Sequence, residues 1–286
     1  MIKNIILKSP AKINLFLKVG QKIKSNKYHN IQSLFFNINL YDKILISEIN
    51  KNKDEIKFIG KFKKYIKKDN SVKKSISSLR KLRLIDNRIK YKIIVEKNIP
   101  VFSGLGGGSS NAATLIKFFL KKENISKKKL NIFEKILGSD FKVLLKGNKV
   151  FKENLNKIVN IKFSHNFYII LVYPFLKCSS KEIYSNFKSY EVIKKNNNYK
   201  NISKNKLLDS LKSENNSLED VVIFKFPIVG KILEELELTE NCEFSRVTGS
   251  GSSCFALFLN KKDASVALKR IRKRFPGLWS ALCKTI

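Results

Sequence analysis

From Pro10 onward, apolar and polar positions alternate. Ile13, Leu15, Leu17 and Val19 fall on one face, and Lys12, Asn14, Phe16 and Lys18 on the other. A period of two predicts a β-strand over Ile6–Val19 with one core face. Phe36–Ile46 reads as a second strand, with Asp42 at a turn, and Tyr91–Val95 as a third. The period then lengthens. Ala112, Leu115, Ile116, Phe119 and Leu120 recur at helical spacing, which predicts an amphipathic helix. Asn70 or Ser71 is placed to cap an earlier helix, and Ser126–Leu137 reads as a later one ending at Gly138. Lys51–Asp69 is lysine-rich and poorly patterned, which fits a hairpin and loop.

In the second half, Phe167–Tyr173 reads as a buried strand ending at Pro174, and a helix is expected from Lys181. Tyr190–Asn205 reads as a loop insertion. Ser217 and Asp220 have the spacing of a capping box, a further helix follows Pro227, and Asp263 is expected to cap the last helix. Strands and helices mix without strict βαβ alternation or internal repeats, so the expected class is α+β. Composition shifts near Phe151–Asn156, which places a domain boundary there and divides the chain into residues 1–152 and 153–286.

Two glycine-rich stretches interrupt the pattern. Pro100–Ala113 joins a strand to a helix, and Arg246–Phe258 precedes an apolar strand. Glycines opening a helix leave backbone N–H groups at its positive end, which suits phosphate. The first stretch is not a Walker A loop, because no Gly-Lys-Ser/Thr follows. Nor is it the dinucleotide fingerprint, because Ser109 stands where a third glycine belongs. A plain flexible loop remains the simpler alternative.

The candidate side chains also carry two readings each. Lys12 and Asn14 point the same way from one strand, as a solvated face or as part of a site. Tyr28-His29 lies in a polar loop, where an aromatic face beside a ring nitrogen suits a planar base; a lone surface histidine is the simpler alternative. Asp140, just past Gly138, is a turn former or a carboxylate at the mouth of the phosphate loop.

The chain has 286 residues, 43% hydrophobic, enough for two cores. No apolar run is long enough to span a membrane, and Met1–Lys8 is too short an apolar segment for a signal peptide. The net charge of +35 suggests a polyanionic partner. However, the excess is mostly lysine, spread along the chain among asparagine and isoleucine, as A/T-rich codons alone produce. That favours drift over nucleic-acid binding. Four scattered cysteines and two histidines lack metal-ligand spacing, which fits reduced thiols in a cytoplasmic protein.

Two glycine loops, a strand-borne lysine and an aspartate after the first loop are the parts a phosphoryl-transfer site needs. Pro10-Ala-Lys12-x-Asn14, Gly104–Ala113 and Thr248-Gly-Ser-Gly-Ser252 resemble the three motifs of the GHMP small-molecule kinases. Ser9–Leu17, Tyr28-His29, Gln32–Phe35 and Asn216-x-Leu-Glu219 look like one branch of that family. That branch phosphorylates the 2-hydroxyl of cytidine-diphosphate methylerythritol in non-mevalonate isoprenoid biosynthesis. The resemblance covers nearly the whole chain.

It implies an N-terminal domain like ribosomal protein S5 domain 2 and a ferredoxin-like C-terminal domain. It also implies ATP on Pro100, Val101, Phe102, Ser103, Gly104, Leu105, Gly106, Gly107, Gly108, Ser109 and Ser110, with Ser109 near Mg²⁺. Asp140 would act as base beside Lys12, Asn14 would bind substrate, Tyr28 would stack on cytosine and His29 would bond its edge. Thr248–Ser252 would contact phosphates or close the cleft. The chain departs from the family pattern at Asn26-Lys27, at Phe141-Lys142 and at Phe151–Asn154. Two other readings are a GHMP kinase for homoserine or mevalonate, whose substrates carry no base, and an RNA binder using the S5-like fold and the charge.

Overall fold

The structure is a computed structural model that describes residues 4–22, 29–120, 125–193, 199 and 201–286. Tyr28 and Asn26-Lys27 lie outside the described residues, as does part of the expected 190–205 insertion. The chain begins with two long strands, β1 (Ile5–Lys22) and β2 (His29–Ile49), then β3 (Glu55–Ile59). Helix α1 (Ser71–Lys81) leads to β4 (Lys90–Glu96) and to α2 (Gly107–Leu120), α3 (Lys127–Leu137) and α4 (Asp140–Lys146). Then come β5 (Lys149–Lys152), β6 (Ile158–Asn160) and β7 (Tyr168–Tyr173). Helices α5 (Ser180–Asn186), α6 (Lys204–Lys212), α7 (Glu219–Lys225) and α8 (Pro227–Glu237) follow. The chain closes with β8 (Phe244–Val247), β9 (Cys254–Phe258), α9 (Lys261–Arg274) and β10 (Trp279–Lys284).

The chain forms two compact units. The first is Met1–Ala11, Leu40–Val101 and Gly106–Leu145; the second is Lys12–Asn39, Phe102–Leu105 and Lys146–Ile286. In the first, β4 pairs antiparallel with the end of β2 (Val95 opposite Ile44) and parallel with β3. The inner face of that sheet (Ile44, Ile46, Ile93, Val95) packs on Val72, Ile76 and Leu79 of α1, on Ala112, Leu115 and Ile116 of α2, and on Phe133 and Phe141. Burying a side chain of this size stabilises by about 1.5–3 kcal/mol. Local signals set the helix ends. Asn70 Oδ1 caps α1 by accepting from Lys73 N at 3.1 Å, and Ser126 Oγ caps α3 through Lys129 N. Gly138 ends α3 at φ +100°, a left-handed conformation that favours glycine.

In the second unit, β2 pairs antiparallel with β5, which pairs with β6. A separate antiparallel sheet runs β10-β7-β9-β8. Its face (Ile170, Val172, Ala256, Phe258) packs on Val229, Ile232 and Leu236 of α8 and on Ala264, Leu268 and Ile271 of α9. Pro227 takes the first position of α8, where its missing N–H costs no bond.

Several local expectations are corrected. Asp42 is not at a turn: it lies inside β2, fully buried. His29 opens β2 and is buried, where a polar loop was expected. Lys12, Asn14 and Phe16 are as buried as Ile13 and Leu15, so β1 has no solvated face over that stretch. The α7 N-cap is Leu218, with no side-chain bond, because Ser217 Oγ instead donates to Leu17 O at 2.9 Å. Asn260, not Asp263, caps α9: its Oδ1 accepts from Asp263 N at 2.9 Å. Among the described residues, three lysines are buried: Lys12, Lys97 and Lys152.

Candidate active site

Three separated sequence motifs meet in the second unit. Lys12 and Asn14 project from β1, and Lys12 Nζ donates to Asn14 Oδ1. Asn14 Nδ2 donates to Ser33 Oγ at 2.8 Å, which fixes the amide's orientation. The Phe102–Leu105 segment closes on them from one side, with Lys12 N donating to Leu105 O at 3.0 Å. The Thr248–Ser253 loop closes from another: Asn14 N donates to Thr248 Oγ1 at 3.0 Å, and Ser253 N to Ser103 O at 3.1 Å.

The glycines permit this approach. A Cβ on Gly104, whose φ is +79°, would stand 2.1 Å from Thr248 O. A Cβ on Gly249, φ +59°, would stand 3.2 Å from both Asn14 Oδ1 and Lys12 Nζ. Both backbones need the left-handed region and the missing side chain at once. The result is loop backbone held directly against a buried ammonium group.

The first unit holds the rest of the glycine stretch. Gly106, at φ +68°, precedes α2, which starts at Gly107 and so includes Gly107, Gly108, Ser109 and Ser110 in its first turn. Ser110 N donates to Gly106 O at 2.9 Å, while N–H groups earlier in a helix's first turn have no intrahelical acceptor, which suits this turn to anions. A buried polar network lies behind it. Lys97 Nζ donates to Asp42 Oδ2, and Asn111 Nδ2 donates to the same oxygen at 2.9 Å. Asp42 Oδ1 accepts from Asn98 N at 2.8 Å and Ile99 N at 2.9 Å, which sets the path of the chain into Pro100. Asn111 Nδ2 also donates to Ser9 Oγ, and Ser9 Oγ to Ser110 Oγ, both at 2.9 Å.

Asp140 is the first residue of α4, partly exposed, two residues after Gly138. A Cβ on Gly138 would stand 4.0 Å from Ser109 Oγ, so the turn that delivers Asp140 passes beside Ser109. Phe141 is fully buried, with its ring 5.8 Å from that of Phe133. Phe141, Val143 and Leu144 anchor α4 and with it Asp140. The structure thus joins Ser109 to the Asp140 turn, and Lys12 and Asn14 to the second glycine loop. Lys12 belongs to the second unit and Asp140 to the first.

His29 sits between two tyrosine rings, Tyr184 at 5.6 Å and Tyr190 at 5.4 Å, both near-parallel. Its Nδ1 lies 3.2 Å from Gly20 O. A carbonyl only accepts, so Nδ1 carries the proton and Nε2 is left as an acceptor. Burial holds the imidazole pKa below its usual value, opposed by the Gly20 bond and aided by Lys22. Lys97 carries no sequence signal of its own in so lysine-rich a chain, and nothing in the sequence pairs it with Asp42.

The fold and this arrangement define a small-molecule kinase, and the chain belongs to the GHMP kinases. Residues 70–142 match the GHMP kinases N terminal domain, and residues 197–277 match GHMP kinases C terminal. A 4-diphosphocytidyl-2-C-methyl-D-erythritol kinase of Pelagibacter ubique (strain HTCC1062) is 38% identical over 285 residues, covering 98% of each chain. One of the same name from Anaplasma marginale (strain Florida) is 34% identical, covering 96% of this chain and 94% of that one. A solved 4-(cytidine 5'-diphospho)-2C-methyl-D-erythritol kinase shares the fold, with a TM-score of 0.74 at 20% identity over 98% of this chain and 99% of that one. A homoserine kinase from Cytophaga hutchinsonii also shares it, with a TM-score of 0.70 at 17% identity over 100% and 95%. No helix among the described residues is long and apolar enough to cross a membrane.

Proposed function

We propose that this chain transfers the γ-phosphoryl group of ATP to the 2-hydroxyl of 4-diphosphocytidyl-2-C-methyl-D-erythritol, in non-mevalonate isoprenoid biosynthesis. The observation that carries this reading is the convergence of Lys12, Asn14, Gly104 and the Thr248–Ser253 loop, together with the name shared by full-length relatives. Phosphoryl transfer needs positioned charge more than covalent chemistry, and the chain supplies both a cation and close backbone.

Pro100–Ser110 would hold the nucleotide. The left-handed glycines and the first turn of α2 fit a polyphosphate, because they offer backbone N–H groups and no bulk. Mg²⁺ keeps most of its ligands from phosphate oxygens and water, so the single hydroxyl of Ser109 is a fitting protein ligand. When bound, it would neutralise charge on the transferred group. Asp140 accepts the proton of the substrate's tertiary hydroxyl. Lys12 offsets charge that develops in the transition state.

Asn14, fixed by Ser33 Oγ and Lys12, presents its amide to the substrate. Tyr28 stacks on cytosine. Neutral His29 offers Nε2 to the exocyclic amine of cytosine, a donor that uracil lacks. We take residues 1–152 to supply nucleotide binding and residues 153–286 to supply the Thr248–Ser253 loop. The deciding experiment measures ADP release with the cytidylylated substrate and, in parallel, with free methylerythritol phosphate. Turnover with the former alone supports the assignment; equal turnover, or turnover with homoserine or mevalonate instead, overturns it.

A further inference from the structure

Asn216-x-Leu-Glu219 has no part in the chemistry above, yet its side chains are the ones bonded to the backbone that enters the second glycine loop. Asn216 is buried, and its amide is fully engaged: Nδ2 donates to Val247 O at 2.7 Å and to Gly249 O at 2.8 Å, while Oδ1 accepts from Leu218 N at 3.1 Å. Glu219 Oε2 accepts from Val247 N at 2.6 Å. Both polar groups of Val247 and the carbonyl of Gly249 are therefore held by one short segment.

That segment is fastened to β1 in turn. Leu17 N donates to Asn215 O at 3.0 Å, and Ser217 N to Leu17 O at 2.8 Å. Ser217 Oγ accepts from Val19 N at 3.0 Å. The circuit closes where Thr248 Oγ1 accepts from Asn14 N and Gly249 approaches Lys12 Nζ. The strand that bears Lys12 and Asn14 thus carries the frame that fixes the loop over them. Beneath it, Arg246 Nη1 donates to Leu15 O at 2.7 Å, which ties the same strand to β8.

We propose that Asn216 and Glu219 are positioning residues that set the Thr248–Ser252 backbone against Lys12 and Asn14. They touch no reacting atom. Their effect on turnover rests on the function proposed above; their effect on the loop does not. A displacement of the loop by about 1 Å is enough to lower turnover about 100-fold.

The test compares Asn216→Ala, Glu219→Ala and Glu219→Gln in the full chain. Two readouts are taken: hydrogen exchange of peptides covering 247–253, and steady-state kinetics of ADP release. Faster exchange in both alanine variants is expected, with kcat/KM about 10- to 100-fold lower. Glu219→Gln keeps an oxygen for Val247 N and should restore both values towards wild type, which a loss of folding would not do. Unchanged exchange in both alanine variants overturns the proposal, as does faster exchange with wild-type kcat/KM. Should the wild-type protein not phosphorylate the cytidylylated substrate, the proposed function fails by itself, and the exchange of 247–253 alone decides whether the frame exists.

Discussion

Lys97→Met tests whether the buried pair behind the glycine loop supports the first unit. Asp42 is fully buried and Lys97 is 2% exposed. The methionine keeps most of the lysine's length but leaves the Asp42 carboxylate with three neutral donors, Asn98 N, Ile99 N and Asn111 Nδ2. Removing one partner of a buried pair costs about 3–5 kcal/mol, because the other charge stays desolvated. Against a typical total of about 5–15 kcal/mol, that is a large loss. With a urea slope of about 2–3 kcal/mol/M, the midpoint should fall by about 1–2 M. Asp42→Asn added to Lys97→Met removes the stranded charge and should recover part of the loss, since an ion pair replaced by neutral groups is often tolerated. A Lys97→Met midpoint within 0.3 M of wild type, on the order of 1 kcal/mol, would refute the reasoning.

Gly104→Ala should lower kcat/KM by about 100-fold or more, because its Cβ would stand 2.1 Å from Thr248 O at φ +79°; wild-type ADP release from this variant would contradict the closed loop geometry. Asp140→Asn should cut turnover about 100-fold or more while leaving nucleotide affinity, read by calorimetry, largely intact; normal turnover would remove Asp140 as the base. Burial raises the Glu219 pKa from 4.5 to about 7, opposed by Val247 N and Arg246 and aided by Asp220 and Glu237. The folded state then holds a proton that the unfolded chain has released, so stability present below about pH 4.5 is lost as pH rises through about 7, by at most about 3 kcal/mol. Glu219→Gln should flatten that part of the urea midpoint's pH dependence between pH 5 and 8, and an unchanged slope would rule Glu219 out as its source.

Features decided within a few residues were legible in the chain. Asn70, Ser126 and Gly138 mark helix ends by side-chain oxygen or left-handed backbone, and each does so in the fold. Features decided by distant packing were not. Alternation along β1 implied one wet face, but both faces are covered, so Lys12 and Asn14 are interior groups. Asp42 has the composition of a turn residue, and its burial in a strand rests on remote partners: Lys97, 55 positions away, Asn111, 69 away, and the backbone of Asn98 and Ile99. Ser217 and Asp263 fit local cap patterns, but Leu17 engages the first and Asn260 precedes the second as cap. In the candidate site, the motif residues could be picked out by type and spacing. Ser33, Asn216 and Glu219 lie in stretches that the family resemblance marks, but their partners, Asn14, Val247 and Gly249, are remote in sequence, so their roles had no local signature.

The three buried lysines also have a consequence for reactivity. Among the described lysines most are at least partly exposed and open to acylation, whereas Lys12, Lys97 and Lys152 are 3%, 2% and 1% exposed. An amine-directed reagent reads the two populations as a fast wave and a slow remainder, with the slow group limited by how often the surrounding structure opens. Lys12 and Lys97 therefore act as built-in clocks, one beside the second glycine loop and one behind the first. Their labelling rates would report the breathing of each loop separately, without any change to the sequence.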